Sequence, residues 1–255
     1  MQDFEADAAL AADLVREAGT LAQQMRPAGL RTHRKTSASD LVTSADRAAE
    51  RLITDHLAAF RPDDGVLGEE GSSRPGSSGR TWVIDPVDGT YNFVHGLAWW
   101  CSAVALVEAG DVVLAAVHHP HEHLLYVGGP ELPPTRNGEP LAGLEDRPLA
   151  ESCLTTYLHP PLYGEQVGRA FGRMVAGAAT LRMTGSGTLD ALAVAQGQAH
   201  VLCQHSVPDW DWYPGSAIVR GVGGAARRTT AAGVEWSMAG APTAVDELVA
   251  ALEQA

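Results

Sequence analysis

An apolar run that ends on two carboxylates is hard to accommodate in a fold, and residues 81–93, "TWVIDPVDGTYNF", contain one. Trp82, Val83 and Ile84 read as a buried strand. Asp85 and Asp88 follow at once, with Pro86 and Val87 between them. Like charges at the end of a buried strand repel and lose hydration. Two arrangements relieve this. Asp-Pro and Asp-Gly are strong turn formers, so the chain can leave the core in a turn. Alternatively, a hard divalent cation makes the proximity of the carboxylates favourable. Choosing between them requires further acids elsewhere and a role for Thr90.

The rest of the chain supplies helices and strands in alternation. Leu10, Leu14, Ala18, Leu21, Ala22 and Met25 repeat at helical spacing over residues 4–26. A second helix is expected from Ser44 to Phe60, with Ala49, Leu52, Ile53, His56, Leu57 and Phe60 on its apolar face. Between them "GLRTHRKTSASDLVT" is polar and partly extended. "GVLGEEGSSRPGSSGR" reads as a short strand and then a mobile Gly/Ser/Pro loop. Hairpin strands near 100–108 and 111–118 are joined by "EAGD", and "RNGEP" supplies an Asn-Gly tight turn. The polar, Pro-containing segment 139–151 joins two halves, 1–145 and 146–255. Beyond it come the strands "ESCLTTYL" and "AHVLCQ", with helices near 163–176, 188–197 and 211–221. This alternation predicts an α/β class with layered helices and sheets.

Composition excludes some functions. The net charge of −13 argues against a nucleic-acid surface, which needs Lys and Arg to displace counterions. An anionic substrate stays compatible, because bound cations reverse the local sign of a site. Cys101, Cys153 and Cys203, an odd set with no C-x-x-C spacing, imply neither a disulfide framework nor a zinc ribbon. The opening "MQDFEADAAL" lacks an apolar signal core, and "GLAWWCSAVALVEAGDVVLAAV" is broken by Glu108, Gly110 and Asp111. A cytoplasmic protein with no membrane partner is the expectation.

Each candidate site residue also has a plain structural reading. Thr43 can cap the helix that follows, with Asp46 near its positive end. Glu69 and Glu70 can be a solvated pair. Asp209 or Asp211 can be an N-cap. Lys35 can be a loop lysine, and Arg182 reads as structural. His118, His119, His121 and His123 invite a zinc hypothesis, against which stand Pro120 and the position after a strand. Trp99 and Trp100 read as core or dimer-interface aromatics.

Taken in order, "DLVTSAD", "GEE", "IDPVDGTYNF" and "WDWYPGSAIV" followed by "GG" resemble the inositol monophosphatase family, which includes magnesium-dependent, lithium-sensitive phosphatases of inositol and sugar phosphates. The likeness spans residues from about 35 to 224 and extends weakly to "RMTGSGTLDALAVAQG". It implies an αβαβα sandwich, two to three Mg2+ ions, a small phosphate monoester as substrate, and a homodimer. By resemblance, Asp85 bridges two ions, Asp88 and Asp211 complete one site, and Glu69 and the Val87 carbonyl complete the other. Glu69 also serves a third ion. Such hard oxygen ligands suit magnesium. Thr90 and Asp46 match the pair that orients and deprotonates the attacking water. Backbone amides at Gly89 and Thr90 cradle phosphate at a helix start, with Gly185, Asp88, Gln204 and Lys35 on the substrate side.

Two departures bear on the substrate. Many inositol phosphatases carry a glutamate where this chain has Gln204, and an acid where it has Gly221. Histidinol phosphate or a nucleotide 3′-phosphate is therefore an alternative to inositol phosphate. A rival of another class is a non-catalytic regulatory protein that keeps the fold. The intact set Asp46, Glu69, Asp85, Asp88, Thr90 and Asp211 argues against that rival, since a pure binder has no need of a water-activating pair.

Overall fold

A computed structural model describes residues 4–26, 32–34, 41–159 and 162–253; Lys35 lies outside them. The first two predicted helices are α1 (Phe4–Met25) and α2 (Ser44–Phe60). The short strands β1 (Thr32–Arg34) and β2 (Leu41–Thr43) pair antiparallel between them. The buried stripe of α2 differs from the expected face. It is Ala45, Asp46, Ala49, Glu50, Ile53 and Leu57. Phe60 is 60% exposed, and His56 sits 3.7 Å from Glu17 at the surface. The helix is turned so that two acids, four residues apart, point inward.

The first sheet has eight strands. β3 (Gly65–Gly68), β4 (Ser73–Arg74) and β5 (Arg80–Asp88), then the short helix α3 (Thr90–Val94), precede the hairpin of β6 (Cys101–Glu108) and β7 (Asp111–His119). β8 (Leu124–Gly129), β9 (Leu132–Arg136) and β10 (Glu139–Pro140) complete it, in the order β10-β9-β8-β7-β6-β5-β3-β4. Its neighbours are antiparallel except for the parallel pair β3 and β5. The second sheet begins beyond Pro140. β11 (Cys153–Tyr157), β12 (Thr180–Arg182) and β13 (Val201–His205) are parallel, and the hairpin β14 (Ala225–Ala231) and β15 (Val234–Gly240) joins them antiparallel, giving β12-β11-β13-β15-β14.

Three apolar cores set the layering. Leu14, Val15, Ile53 and Leu57 of α1 and α2 pack on Trp82, Ile84, Val104 and Leu106 of the first sheet. Between the sheets lie α5 (Gly187–Ala195) and α6 (Asp209–Gly221), whose Leu189, Leu192, Ile218 and Val219 meet Val117 on one side and Leu202 on the other. Every residue of α5 from Thr188 to Ala195 is buried, as a helix with sheet on both faces requires. Outside the second sheet, α4 (Gln166–Ala176) and α7 (Pro242–Glu253) cover Leu154, Cys203 and Trp236. The result is the α/β sandwich of helix, sheet, helix, sheet, helix that the resemblance implied. Trp100 is fully buried against Phe93, so it is a core aromatic.

Two expectations change. The Gly/Ser/Pro stretch after β3 is tied down rather than loose. Ser73 and Arg74 pair with β3, Arg74 donates to the Arg61 and Asp64 carbonyls at 3.1 and 2.9 Å, and Ser78 donates to Asp64 at 2.7 Å. The β14–β15 hairpin and α7 have no counterpart among the predicted elements.

Candidate active site

The acid pair in β5 is set by a bulge. Asp85 pairs with Ala103 and Asp88 with Cys101, so the register slips by one residue between them. Residues three apart on a regular strand face opposite sides. The extra residue restores the parity and aims both carboxylates to one side. Pro86 has no N–H to lose at such a place, and its carbonyl accepts from Ser102 Oγ at 2.6 Å. Asp85 accepts from the Val87 N–H at 3.0 Å.

Neighbouring elements deliver the other acids. Parallel pairing sets Gly68 opposite Ile84, and the Glu69 N–H donates to the Ile84 carbonyl at 3.1 Å. Glu69 thus follows β3 at the level of Asp85. Asp211 stands in the first turn of α6, which packs on β5. The predicted N-cap role falls to neither aspartate, because Pro208 occupies the cap; Asp209 instead accepts from Arg228 at 3.0 Å. Asp85, Asp88 and Asp211 each offer a carboxylate oxygen within 4.8 Å of the others. Burial, then the charges of Glu69, Asp88 and Asp211, push the Asp85 carboxyl well up. Asp88 is also raised, by burial, against the bonds it receives from α5. Such a group has too much negative charge for its burial, and a hard divalent cation fits it.

Asp88 is held from the far half of the chain. Its Oδ2 accepts from Ser186 Oγ at 2.9 Å and from the Thr188 N–H at 2.7 Å, at the start of α5. Asn92 makes a second tie, donating to the Trp99 and Thr184 carbonyls at 2.8 Å each. Gly185, with φ +89°, leaves room for it, since a Cβ there would lie 3.1 Å from the Asn92 side chain.

Asp46 does two things at once. Its Oδ2 accepts from the Thr43 N–H at 3.1 Å while the Thr43 hydroxyl accepts from the Asp46 N–H at 3.4 Å, which is a capping box; the same hydroxyl accepts from the Ala45 N–H at 3.0 Å. Its Oδ1 faces Thr90 Oγ1 at 3.2 Å. Thr90 Oγ1 also lies 3.0 Å from the Val87 carbonyl. A hydroxyl has one proton, so these two acceptors compete for it. Burial raises the Asp46 carboxyl to about 6, against the Thr43 bond, and nearby Glu70 adds to the rise.

Gln204 is the penultimate residue of β13, and its amide oxygen lies 3.3 Å from the position a Cβ would take on Gly187. It therefore borders the α5 start that holds Asp88. Gly221 is elsewhere. A Cβ there would come within 2.5 Å of Pro134 and 2.6 Å of the Gly129 carbonyl, so this glycine answers to helix–sheet packing. Arg182 is exposed and donates to the Leu181 carbonyl at 2.8 Å. The histidines do not converge. His118 faces α1 at Gly19, His119 donates to the Ala98 carbonyl at 2.9 Å, and His121 and His123 are exposed. Among the described residues the three aspartates are the only such group placed to hold a metal.

A model of the inositol monophosphatase family matches residues 3–253. The chain belongs to that family. It is 35% identical to the fructose-1,6-bisphosphatase/inositol-1-monophosphatase of Thermotoga maritima over 75% of this chain and 72% of that protein. It is 30% identical to the Nus factor SuhB of Xylella fastidiosa over 74% of this chain and 69% of that one. The crystal structure of the extragenic suppressor protein suhB from Bartonella henselae superposes with a TM-score of 0.87 at 25% identity, covering 98% of this chain and 99% of the other. As a family member the chain is consistent with a phosphatase of small phosphate esters. No described helix is long and apolar enough to cross a membrane.

Glu50, Ser186, Thr188 and Asn92 are not among the site residues that the sequence predicts. Glu50 had a visible signal: with Asp46 it makes a second acid at helical spacing on the apolar stripe of α2.

Proposed function

We propose that this chain is a Mg2+-dependent phosphomonoesterase that hydrolyses a small phosphorylated metabolite, inositol 1-phosphate or a related sugar or polyol phosphate. The convergence of Asp85, Asp88 and Asp211 carries the reading. Glu69, Asp85, the Val87 carbonyl, Asp88 and Asp211 would hold two to three Mg2+ ions. When bound, the ions supply positive charge to the phosphate and its leaving oxygen and make water more acidic. Thr90 Oγ1 orients the attacking water by accepting its proton as its own passes to Asp46 Oδ1. Engagement of the Val87 carbonyl elsewhere leaves Asp46 as the sole acceptor for Thr90. Asp46, lifted to about 6 by burial, is ionised and still basic near neutrality. The Gly89 and Thr90 amides and Gly185 face phosphate, Gln204 faces the esterified group, and Lys35 is assigned to the substrate side by family likeness. Residues 1–145 supply most acids and residues 146–255 supply Asp211 and the substrate side. A cytoplasmic homodimer is part of the reading; exposed Tyr91, Leu97, Leu181 and Met183 offer apolar surface for it.

The deciding experiment is a panel of inositol, sugar, nucleotide and histidinol phosphates, each with Mg2+ and with excess chelator. Turnover that requires Mg2+ and ranks an inositol or sugar phosphate first is expected. Full activity in chelator would sink the metal assignment. Absence of turnover across the panel would favour the second reading, a regulatory binding protein, for which the Xylella fastidiosa relative named a Nus factor is the support.

A further inference from the structure

Glu50 is a buried carboxylate that the proposed chemistry does not use; its residue is 2% exposed. It lies one helical turn beyond Asp46 on α2, so the same helix face carries both acids. Its Oε2 accepts from the Glu70 N–H at 2.8 Å and its Oε1 from the Ser72 N–H at 2.9 Å. The chain between these donors is the tight turn that leaves β3. The Gly68 N–H donates to the Ser72 carbonyl at 2.7 Å, the Gly71 N–H to the Gly68 carbonyl at 3.3 Å, and Gly71 has φ +105°. A Cβ on Gly68 would fall 2.5 Å from the Glu50 carboxyl carbon. The turn is therefore wrapped around the carboxylate, and Gly68 is the residue type that allows the wrap.

We propose that Glu50 is a positioning residue: its carboxylate shapes the 68–72 turn and so fixes Glu69 at the level of Asp85. The inference rests on the metal reading for its consequence but not for its geometry. A carboxylate offers acceptors on both oxygens, whereas an amide turns an NH2 toward one of the two backbone donors. Glu50→Gln is thus nearly isosteric and still breaks one side of the wrap. Gly68→Ala attacks the same contact from the turn, because its methyl displaces the carboxylate. Ile53→Ala, on the same helix and fully buried, removes packing without touching the turn.

The test compares amide hydrogen exchange of residues 69–72 in metal-free protein with the Mg2+ half-saturation, read by thermal shift and by turnover. In Glu50→Gln, exchange at Glu70 and Ser72 should quicken by about ten-fold or more, and Mg2+ half-saturation should rise by roughly 10–100-fold, as loss of an outer support does in metal sites. Turnover at saturating Mg2+ should stay within a few-fold. Gly68→Ala should repeat both changes, while Ile53→Ala should lower Tm and leave Mg2+ half-saturation in place. Unchanged exchange in Glu50→Gln, or an equal Mg2+ shift in Ile53→Ala, overturns the proposal. If wild-type protein shows no Mg2+ response, the phosphatase reading fails, and the exchange comparison still decides whether Glu50 holds the turn.

Discussion

Asp46 shows how a residue can satisfy two readings that look like rivals in the sequence. One oxygen completes the capping box with Thr43 and the other faces Thr90. Asp46→Asn can keep the cap through its amide oxygen, so the fold should hold while the base is lost. We expect kcat to fall by about 100-fold or more, the scale of a missing general base, with Mg2+ stabilisation retained. A variant that turns over at the wild-type rate would remove Asp46 from the chemistry. Asp88→Asn separates the other role. An asparagine oxygen can still accept from Ser186 and Thr188, so α5 stays docked. The lost charge should abolish most turnover and the Mg2+ thermal shift, while the metal-free Tm stays level or rises because repulsion with Asp85 and Asp211 is relieved. Gln204 sets a third test. A carboxylate in its place accepts from two substrate hydroxyls, and a mismatched bond in a buried site costs on the order of 1–3 kcal/mol. Gln204→Glu should therefore raise kcat/KM for inositol 1-phosphate relative to the other panel members; an unchanged preference order would retire its role in selectivity.

At the scale of elements, the two helices between the sheets show how closely such a layer is packed. α5 and α6 approach closely because Gly215 has no side chain: a Cβ there would lie 2.5 Å from the Ala191 Cβ. Gly215→Ala should part the helices and cost about 1–3 kcal/mol, as overpacking does, seen as a drop of several degrees in Tm at any Mg2+ concentration. A wild-type Tm would mean that the helices separate freely. Such contacts are invisible in one sequence, because nothing local marks Gly215 as facing Ala191. Other elements were legible for local reasons. Asn137-Gly138 and Ala109-Gly110 both turn with positive φ, as two-residue hairpins require, and both stretches carry that turn signal in the sequence. Ala232-Gly233 turns the same way between β14 and β15, but β14 is largely part-exposed and β15 is buried continuously from Trp236 to Gly240, so neither strand alternates in a way that marks the hairpin. The acids were legible as motifs. Their supports, Glu50, Ser186 and Asn92, were less so, since a buried polar side chain is recognised by the backbone groups it meets.

Across the whole molecule, buried acids couple stability to pH. Burial raises Asp85 and Asp88, lifts Asp46 to about 6, and lifts Asp190 on α5 to about 7. In the unfolded chain these groups titrate near 3.9. From about pH 4 upward the native state therefore binds more protons than the unfolded one, and metal-free stability falls as pH rises through this range, up to about 7 for Asp190. A bound divalent cation favours the charged forms and works against that fall. The stabilisation by Mg2+ should accordingly grow with pH between about 4 and 7, measured as the difference in Tm with Mg2+ and with chelator. The net charge of −13 creates general repulsion with the same sign. Salt separates the two, because exposed charges are screened by added NaCl and buried ones far less. The pH slope in chelator should thus survive in high NaCl and be smaller in Asp88→Asn. A slope abolished by salt alone would place the effect on the surface and deny the buried acids their part in it.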